Sequence, residues 1–303
     1  MVNLRGVHLP VTTPFRGDGT FDREGFVSNL RTWCETAIAG VLVGGSTGES
    51  VLLTEAELME AISSARDTLP PDRIVIAGTG RQSTVATIAA CEAAAAAGAD
   101  AVLVLPPSYF RAQMTADALR LHYLEVADGS PVPLLLYHVP KFVPVDLAPD
   151  LVRELVRHRN IVGIKDSSGD IQNLGALCEA CGEQADVLVG AGTHLYSGLE
   201  IGARGGIIAV GLLAAAEAAD LFDAFMAGRT NEAGRLQETL GPLHKAVVAG
   251  TGVPGVKHGL DLLGYVGGPP RPPLLPPDEG TRARVREALT HAGLRLEALA
   301  AGN

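Results

Sequence analysis

The chain of 303 residues is 47% hydrophobic and 19% charged, the balance of an ordinary soluble globular protein with room for one large domain or two small ones. Its formal net charge of −10 comes without a compensating basic cluster, which argues against nucleic acid and anionic membranes as partners. No apolar run reaches the roughly 18 to 20 residues of a membrane span, and the opening Met1-Val-Asn-Leu-Arg-Gly-Val-His8 lacks the layout of a signal peptide, so a cytoplasmic location is expected.

Short apolar runs that read as strands recur at Val7–Thr12, Gly40–Val43, Arg73–Ala77, Ala101–Leu105, Val132–Tyr137, Ile161–Lys165, Val187–Gly190 and Gly206–Val210. The segments between them have helical spacing. Phe26, Leu30, Trp33 and Ala37 repeat at i, i+4, i+7 and i+11, Thr54-Glu-Ala-Glu57 is a capping box, and Asp170 stands where an N-cap belongs. Eight such units with short loops predict an α/β fold of the (β/α)₈ barrel type; a doubly wound sheet would show fewer strands and a phosphate loop after the first. The remaining residues carry no strand pattern. Ala214–Ala227, Asn231–Val248 and Pro254–Leu263 read as helices, with Pro254 at a first helical position. The proline-rich run Gly267–Pro277 reads as an extended strap, and Glu279–Leu296 as a closing helix. The expected organisation is a barrel over residues 1–212 and a helical extension over 213–303 packed on it.

In a barrel, chemistry sits where strands meet their following loops. The sixth run, Ile161-Val-Gly-Ile-Lys165, ends an otherwise apolar strand in a lysine, and the chain has only three others, Lys141, Lys245 and Lys257, against twenty arginines. Burial strips an ammonium of its hydration and favours the neutral amine, a nucleophile that forms a Schiff base with a carbonyl. The competing reading is a lysine that snorkels out of the strand end. The fifth run ends in Tyr137, where a phenol can exchange protons with a substrate or simply pack. His138 points the other way by the strand period and is not expected to act. After the second run, Gly44-Gly-Ser-Thr-Gly-Glu-Ser50 lacks the lysine of a phosphate loop but offers closely spaced N–H groups and hydroxyls that suit a small carboxylate; it is equally readable as a plain tight turn.

Other motifs carry less. Cys34, Cys91, Cys178 and Cys181 are too scattered for a disulfide framework, and Cys178-Glu-Ala-Cys181 falls at the end of a helical segment rather than at the helix start a redox pair prefers. The eight histidines show no H-x-H or H-E-x-x-H spacing, so no metal site is expected. Gly78-Thr-Gly80 lacks the third glycine of a dinucleotide fingerprint.

Gly45-Ser46-Thr47-Gly48-Glu49-Ser50, Tyr109, Tyr137-His-Val-Pro140 and Gly163-Ile-Lys165-Asp, in that order, make the chain similar over essentially its whole length to the dihydrodipicolinate synthase / N-acetylneuraminate lyase superfamily. The resemblance implies a barrel enzyme that forms a Schiff base between pyruvate, or the pyruvate part of a 2-oxo acid, and Lys165, with neither cofactor nor metal. It implies Tyr137 as proton donor and acceptor, Ser46 and Tyr109 as its relay partners, and Thr47, Ser167, Gly190 and Ile207 as the pyruvate subsite. It also implies a homotetramer built from two dimers, in which Tyr109 crosses the two-fold into the neighbour's site. Gly163-Ile-Lys-Asp-Ser-Ser-Gly-Asp170, Val187-Leu-Val-Gly-Ala-Gly192 and Gly252-Val-Pro-Gly-Val-Lys257 resemble the 4-hydroxy-2-oxoglutarate aldolase branch most, which makes cleavage of a 4-hydroxy-2-oxo acid to pyruvate the leading expectation. Dihydrodipicolinate synthase activity, or action on a sugar-derived 2-oxo acid, is the alternative, and a non-catalytic binding paralogue a more distant one. Phe142 departs from the arginine that holds the aspartate-semialdehyde carboxylate in those synthases, and also from the polar residue usual in the aldolase branch, which implies an aldehyde half that is less acidic or is held by Lys141 or Arg111 instead.

Overall fold

The structure, a computed structural model, describes residues 2–297. Eight parallel strands close into a barrel in sequence order: β1 (Gly6–Pro10), β2 (Gly40–Val43), β3 (Ile74–Gly78), β4 (Ala101–Val104), β5 (Leu134–His138), β6 (Ile161–Asp166), β7 (Asp186–Val189) and β8 (Gly205–Ile207). Helices on the outside cover them, which is why the strands read as unbroken apolar runs instead of alternating ones. These are α1 (Arg23–Cys34), α2 (Glu55–Thr68), α3 (Thr84–Ala96), α4 (Ala116–Gly129), α5 (Pro149–Leu155), α6 (Ile171–Cys181), α7 (Leu195–Glu200) and α8 (Ala215–Met226), the last packing against β1.

Local signals placed the caps well. Both halves of the Thr54–Glu57 capping box form, and the Asp170 carboxylate accepts from the N–H groups of Gln172 and Asn173. Boundaries moved where tertiary pairing outweighs pattern. β8 lies one to three residues earlier than the apolar run, because Gly205 and Gly206 are the residues that pair with Gly6 and Val7, and Ala209–Leu212 coils into a 3₁₀ turn. α1 ends at Cys34, so Ala37 lies beyond it and exposed, and Ile38 supplies the buried anchor.

One register detail decides the site. Leu134 pairs with Ile161 but Leu135 with Gly163, so β6 carries one extra residue, Val162, and Tyr137 lands opposite Lys165. Without that residue Tyr137 would face Ile164, and Lys165 would stand beside His138 on the outside of the barrel.

The C-terminal helices depart further from the simple pattern. The single helix expected over Asn231–Val248 is α9 (Thr230–Leu243) followed by a six-residue π-helical turn, His244–Ala249. α10 (Gly250–Leu262) is interrupted at Gly252, whose φ of 65° and ψ of −158° only glycine adopts readily. α11 (Glu279–His291) stops short of Leu296. The strap between α10 and α11 is pinned to α1: Asn29 bonds both the N–H and the carbonyl of Val266 at 2.8 Å, and Tyr265 stacks on Trp33 with centroids 5.3 Å apart. Among the described residues no helix is long and apolar enough to cross a membrane.

Candidate active site

Paired on adjacent strands, Tyr137 and Lys165 both face the interior at the C-terminal end of the barrel. The Lys165 Nζ lies 3.5 Å from the Tyr137 hydroxyl and each residue is 4% exposed. They form the floor of a cavity of about 390 Å³. The strand period turns the next pair outward: His138 Nδ1 lies 2.6 Å from Asp166 Oδ1, and Ser168 donates to the other carboxylate oxygen. The outer pair clamps β5 to β6 directly behind the inner one.

Ser46, Thr47, Ser167, Gly190 and Ile207 all line this cavity. Gly44, at φ 69°, starts the turn that carries Ser46 and Thr47 inward. Within the turn Gly48 and Ser50 donate to the Gly45 carbonyl and Glu49 to that of Ser46. The N–H groups of Ser46 and Thr47 have no protein acceptor among the described residues, which leaves them available to an anion. Gly190 contributes differently. Its N–H already donates to the Asp166 carbonyl at 2.7 Å, so it offers no donor, and a Cβ there would meet Ser167 Oγ at 1.9 Å. Its value is the space it leaves.

Tyr109 is not in this cavity. It is 81% exposed, set edge-on to Phe110, with Gln82 accepting from its N–H and from that of Ser108. Arg111 is also remote, beside Met114 and Asp146, and so cannot replace the missing arginine at the mouth within its own chain. Phe142 does stand at the mouth, 61% exposed, with the Lys141 Nζ 5.7 Å from its ring centre.

The far wall comes from the C-terminal helices: His244 and Lys245 from the π turn, to which the sequence assigned no role, and Val253 and Val256 from α10, inside the Gly252–Lys257 motif but with no site role expected of them. Among the described residues, three of the chain's four lysines therefore line the cavity, Lys141, Lys165 and Lys245, whereas no arginine does. The fourth, Lys257, lies fully buried behind the wall, paired with Glu49 at 2.7 Å. Scarcity of lysine was the one available signal for Lys245, whereas Lys257 also ended the Gly252–Lys257 motif, which named no partner for it. Burial, with His194 and Lys141 nearby, holds the His244 imidazole down to about 4, so it stands neutral in the wall at ordinary pH. Burial also pushes the Cys178 and Cys181 thiols up to about 11 and about 12, as suits inert helix-end cysteines. Among the described residues no group of three or more His, Cys, Asp or Glu side chains could hold a metal.

Comparison with known proteins bears on this geometry. The model of the dihydrodipicolinate synthetase family matches residues 3–292. The 4-hydroxy-tetrahydrodipicolinate synthase of Methanothrix thermoacetophila is 35% identical over 288 residues, covering 95% of this chain and 96% of that protein. The enzyme of the same name from Rhodopseudomonas palustris is 32% identical over 291 residues, covering 96% and 97%. Among solved structures, the dihydrodipicolinate synthase of Acinetobacter baumannii complexed with pyruvate superimposes with a TM-score of 0.92 at 29% identity, covering 97% of this chain and 100% of that one. YagE of E. coli K12, described as a prophage protein of the dihydrodipicolinic acid synthase family and also complexed with pyruvate, gives 0.91 at 28% identity, with the same coverage.

Proposed function

The chain belongs to the dihydrodipicolinate synthetase family, and from that premise we propose that it joins pyruvate to an aldehyde, or splits such an aldol, through an imine on Lys165. It is a pyruvate-dependent Schiff-base lyase. The observation that carries the residue assignment is the Lys165 amine 3.5 Å from the Tyr137 hydroxyl on the floor of the cavity. The amine adds to the 2-oxo carbon, water leaves, and the protonated imine becomes an electron sink. In the cleavage direction Tyr137 takes the proton of the C4 hydroxyl, the C3–C4 bond breaks, and the resulting enamine is reprotonated and hydrolysed to pyruvate. Addition is the same path reversed. The pyruvate carboxylate fits the N–H groups and hydroxyls of Ser46 and Thr47, with Gly190 and Ile207 shaping the opposite side. Pyruvate with borohydride should fix a pyruvate-derived mass on Lys165 alone. Lys165→Ala should lose both labelling and turnover, and label on Lys141 would refute the assignment.

For the aldehyde partner, the curated relatives favour aspartate-semialdehyde, and hence 4-hydroxy-tetrahydrodipicolinate synthase activity. Phe142 counts against that partner and so leaves room for a second reading, cleavage of a 4-hydroxy-2-oxo acid such as 4-hydroxy-2-oxoglutarate, although Phe142 departs from the polar residue usual in that branch too. An aromatic ring gives no cationic fork to the semialdehyde carboxylate, and a lost charge-assisted contact is worth on the order of 1.5–3 kcal/mol, or roughly ten- to a hundredfold in discrimination. In that second reading a distal carboxylate would lie near Lys141 and Lys245, which make no ion pair among the described residues. Assaying both reactions on one preparation separates them: efficient condensation with aspartate-semialdehyde establishes the first, and pyruvate release from the 4-hydroxy-2-oxo acid without that condensation establishes the second.

A further inference from the structure

The barrel's second loop and the C-terminal helices meet on one buried charge. Lys257 Nζ is 2.7 Å from Glu49 Oε1, and the two side chains are 1% and 0% exposed. The ammonium also donates to the Thr13 and Pro269 carbonyls, each at 2.8 Å, so all three of its protons are used. The other Glu49 oxygen accepts from the Arg271 N–H at 2.8 Å. Four segments far apart in sequence thus converge: the turn after β1, the turn after β2, α10 and the strap.

As a stabiliser such a pair is a poor choice, because desolvating two charges offsets most of their attraction, and apolar replacements of the same volume are often no worse. What it offers is fixed geometry. Glu49 adopts φ 58°, the one positive φ outside glycine among the described residues. A glycine would sit there without strain, so a side chain at this point has to serve through its carboxylate. Glu49 stands two residues beyond Thr47, inside the turn that its own N–H closes onto the Ser46 carbonyl. Thr13 Oγ1 braces the same turn by donating to the Gly48 carbonyl at 2.8 Å. On the other side, Lys257 follows Val256 directly, and Val256 lines the cavity.

We infer that the Glu49–Lys257 pair is the positioning device that registers the Ser46–Thr47 loop against the α10 wall, so that residues beyond the barrel set the geometry of the pyruvate-carboxylate subsite. Neither residue touches the cavity; both act through the loop. The inference rests on the reading that Ser46 and Thr47 receive that carboxylate.

The test compares wild type with Glu49→Gln and with the neutral double variant Glu49→Gln/Lys257→Met, which removes both charges at once. Melting temperature reports the fold, and the pyruvate concentration giving half-maximal borohydride labelling of Lys165 reports the subsite. A misplacement near 1 Å costs up to about a hundredfold, so the folded double variant should need roughly ten to a hundred times more pyruvate, at saturating labelling close to wild type. A double variant that labels at wild-type pyruvate concentration would show the pair to be merely structural. Should neither variant fold, Glu49→Asp, which keeps the charge but withdraws it by one methylene, decides in the same way: raised half-saturation supports positioning, and an unchanged value overturns it. Absence of label on the wild type would instead refute the pyruvate reading itself, and the positioning role with it.

Discussion

Two lysines are buried in this molecule, and their side chains do opposite things. Among the described residues Lys165 has one neighbour within hydrogen-bonding reach, the Tyr137 hydroxyl, and it opens on the cavity. Lys257 spends every proton on fixed acceptors. Burial pulls the Lys257 ammonium toward neutrality while Glu49 opposes it, and three donations require the charged form. Only the first could serve as a nucleophile. In the proposed mechanism the phenol beside it moves protons without forming the covalent bond, so Tyr137→Phe should still be labelled on Lys165 by pyruvate and borohydride. Its turnover should fall by about a hundredfold to ten-thousandfold, the usual contribution of a positioned acid–base group. Turnover within threefold of wild type would remove Tyr137 from the mechanism. Lys165 was legible because it closes an apolar run; Lys257 ends Gly252-Val-Pro-Gly-Val-Lys257, a stretch that carries a family resemblance but gives no sign of a partner 208 residues away.

The strap is the element whose fate is least visible locally, since proline content says only that it is neither helix nor central strand. Its anchor is Arg271, whose guanidinium grips both oxygens of Glu57 at 2.6 and 2.7 Å and also donates to the Leu52 and Gly19 carbonyls. Those bonds, with smaller help from Thr54, hold the Glu57 carboxyl down to about 2 from an ordinary 4.5. A carboxyl more acidic in the folded chain contributes its stability in full above about 4.5 and loses it as pH falls toward 2, because the unfolded chain takes the proton first. Glu57→Gln should therefore lower the unfolding free energy by a constant margin near neutrality, on the order of 1 kcal/mol after solvent screening. The margin should shrink as pH drops below about 4.5. A margin unchanged down to pH of about 3 would assign the loss to packing instead of charge.

For the molecule as a whole, the unassembled residue is Tyr109, which is exposed beside an exposed Phe110. A groove of about 330 Å³ runs from Ser46 and Tyr137 past Val51, itself 87% exposed, to Arg81 and Gln82. We propose that a partner chain's Tyr109 enters by this route, in an isologous dimer within a homotetramer. Tyr109→Phe and Lys165→Ala chains, unfolded and refolded together, provide the check. In a mixed dimer the Tyr109→Phe chain keeps its Lys165 and receives an intact tyrosine. Random pairing makes about half the dimers mixed, each with one of two sites restored, so activity should recover to roughly a quarter of wild type. A mixture no better than the mean of its parents would mean that each chain uses its own Tyr109.

Sequence by itself determined the eight strands, the caps at Thr54 and Asp170, and the lysine and tyrosine at strand ends, because these depend on neighbours a few residues away: a run of apolar side chains, a carboxylate three positions from a hydroxyl. Closure of the barrel followed from their number and order. Tertiary structure alone decided the rest. Val162 is an ordinary β-branched residue in an apolar run, yet its exclusion from the pairing sets Tyr137 opposite Lys165 rather than Ile164. The π turn at His244–Ala249 brings Lys245 to the cavity from a stretch that reads as plain helix. Lys257 needs Glu49, Thr13 and Pro269 at once, and no local pattern announces partners that only the folded chain brings within 3 Å of one nitrogen.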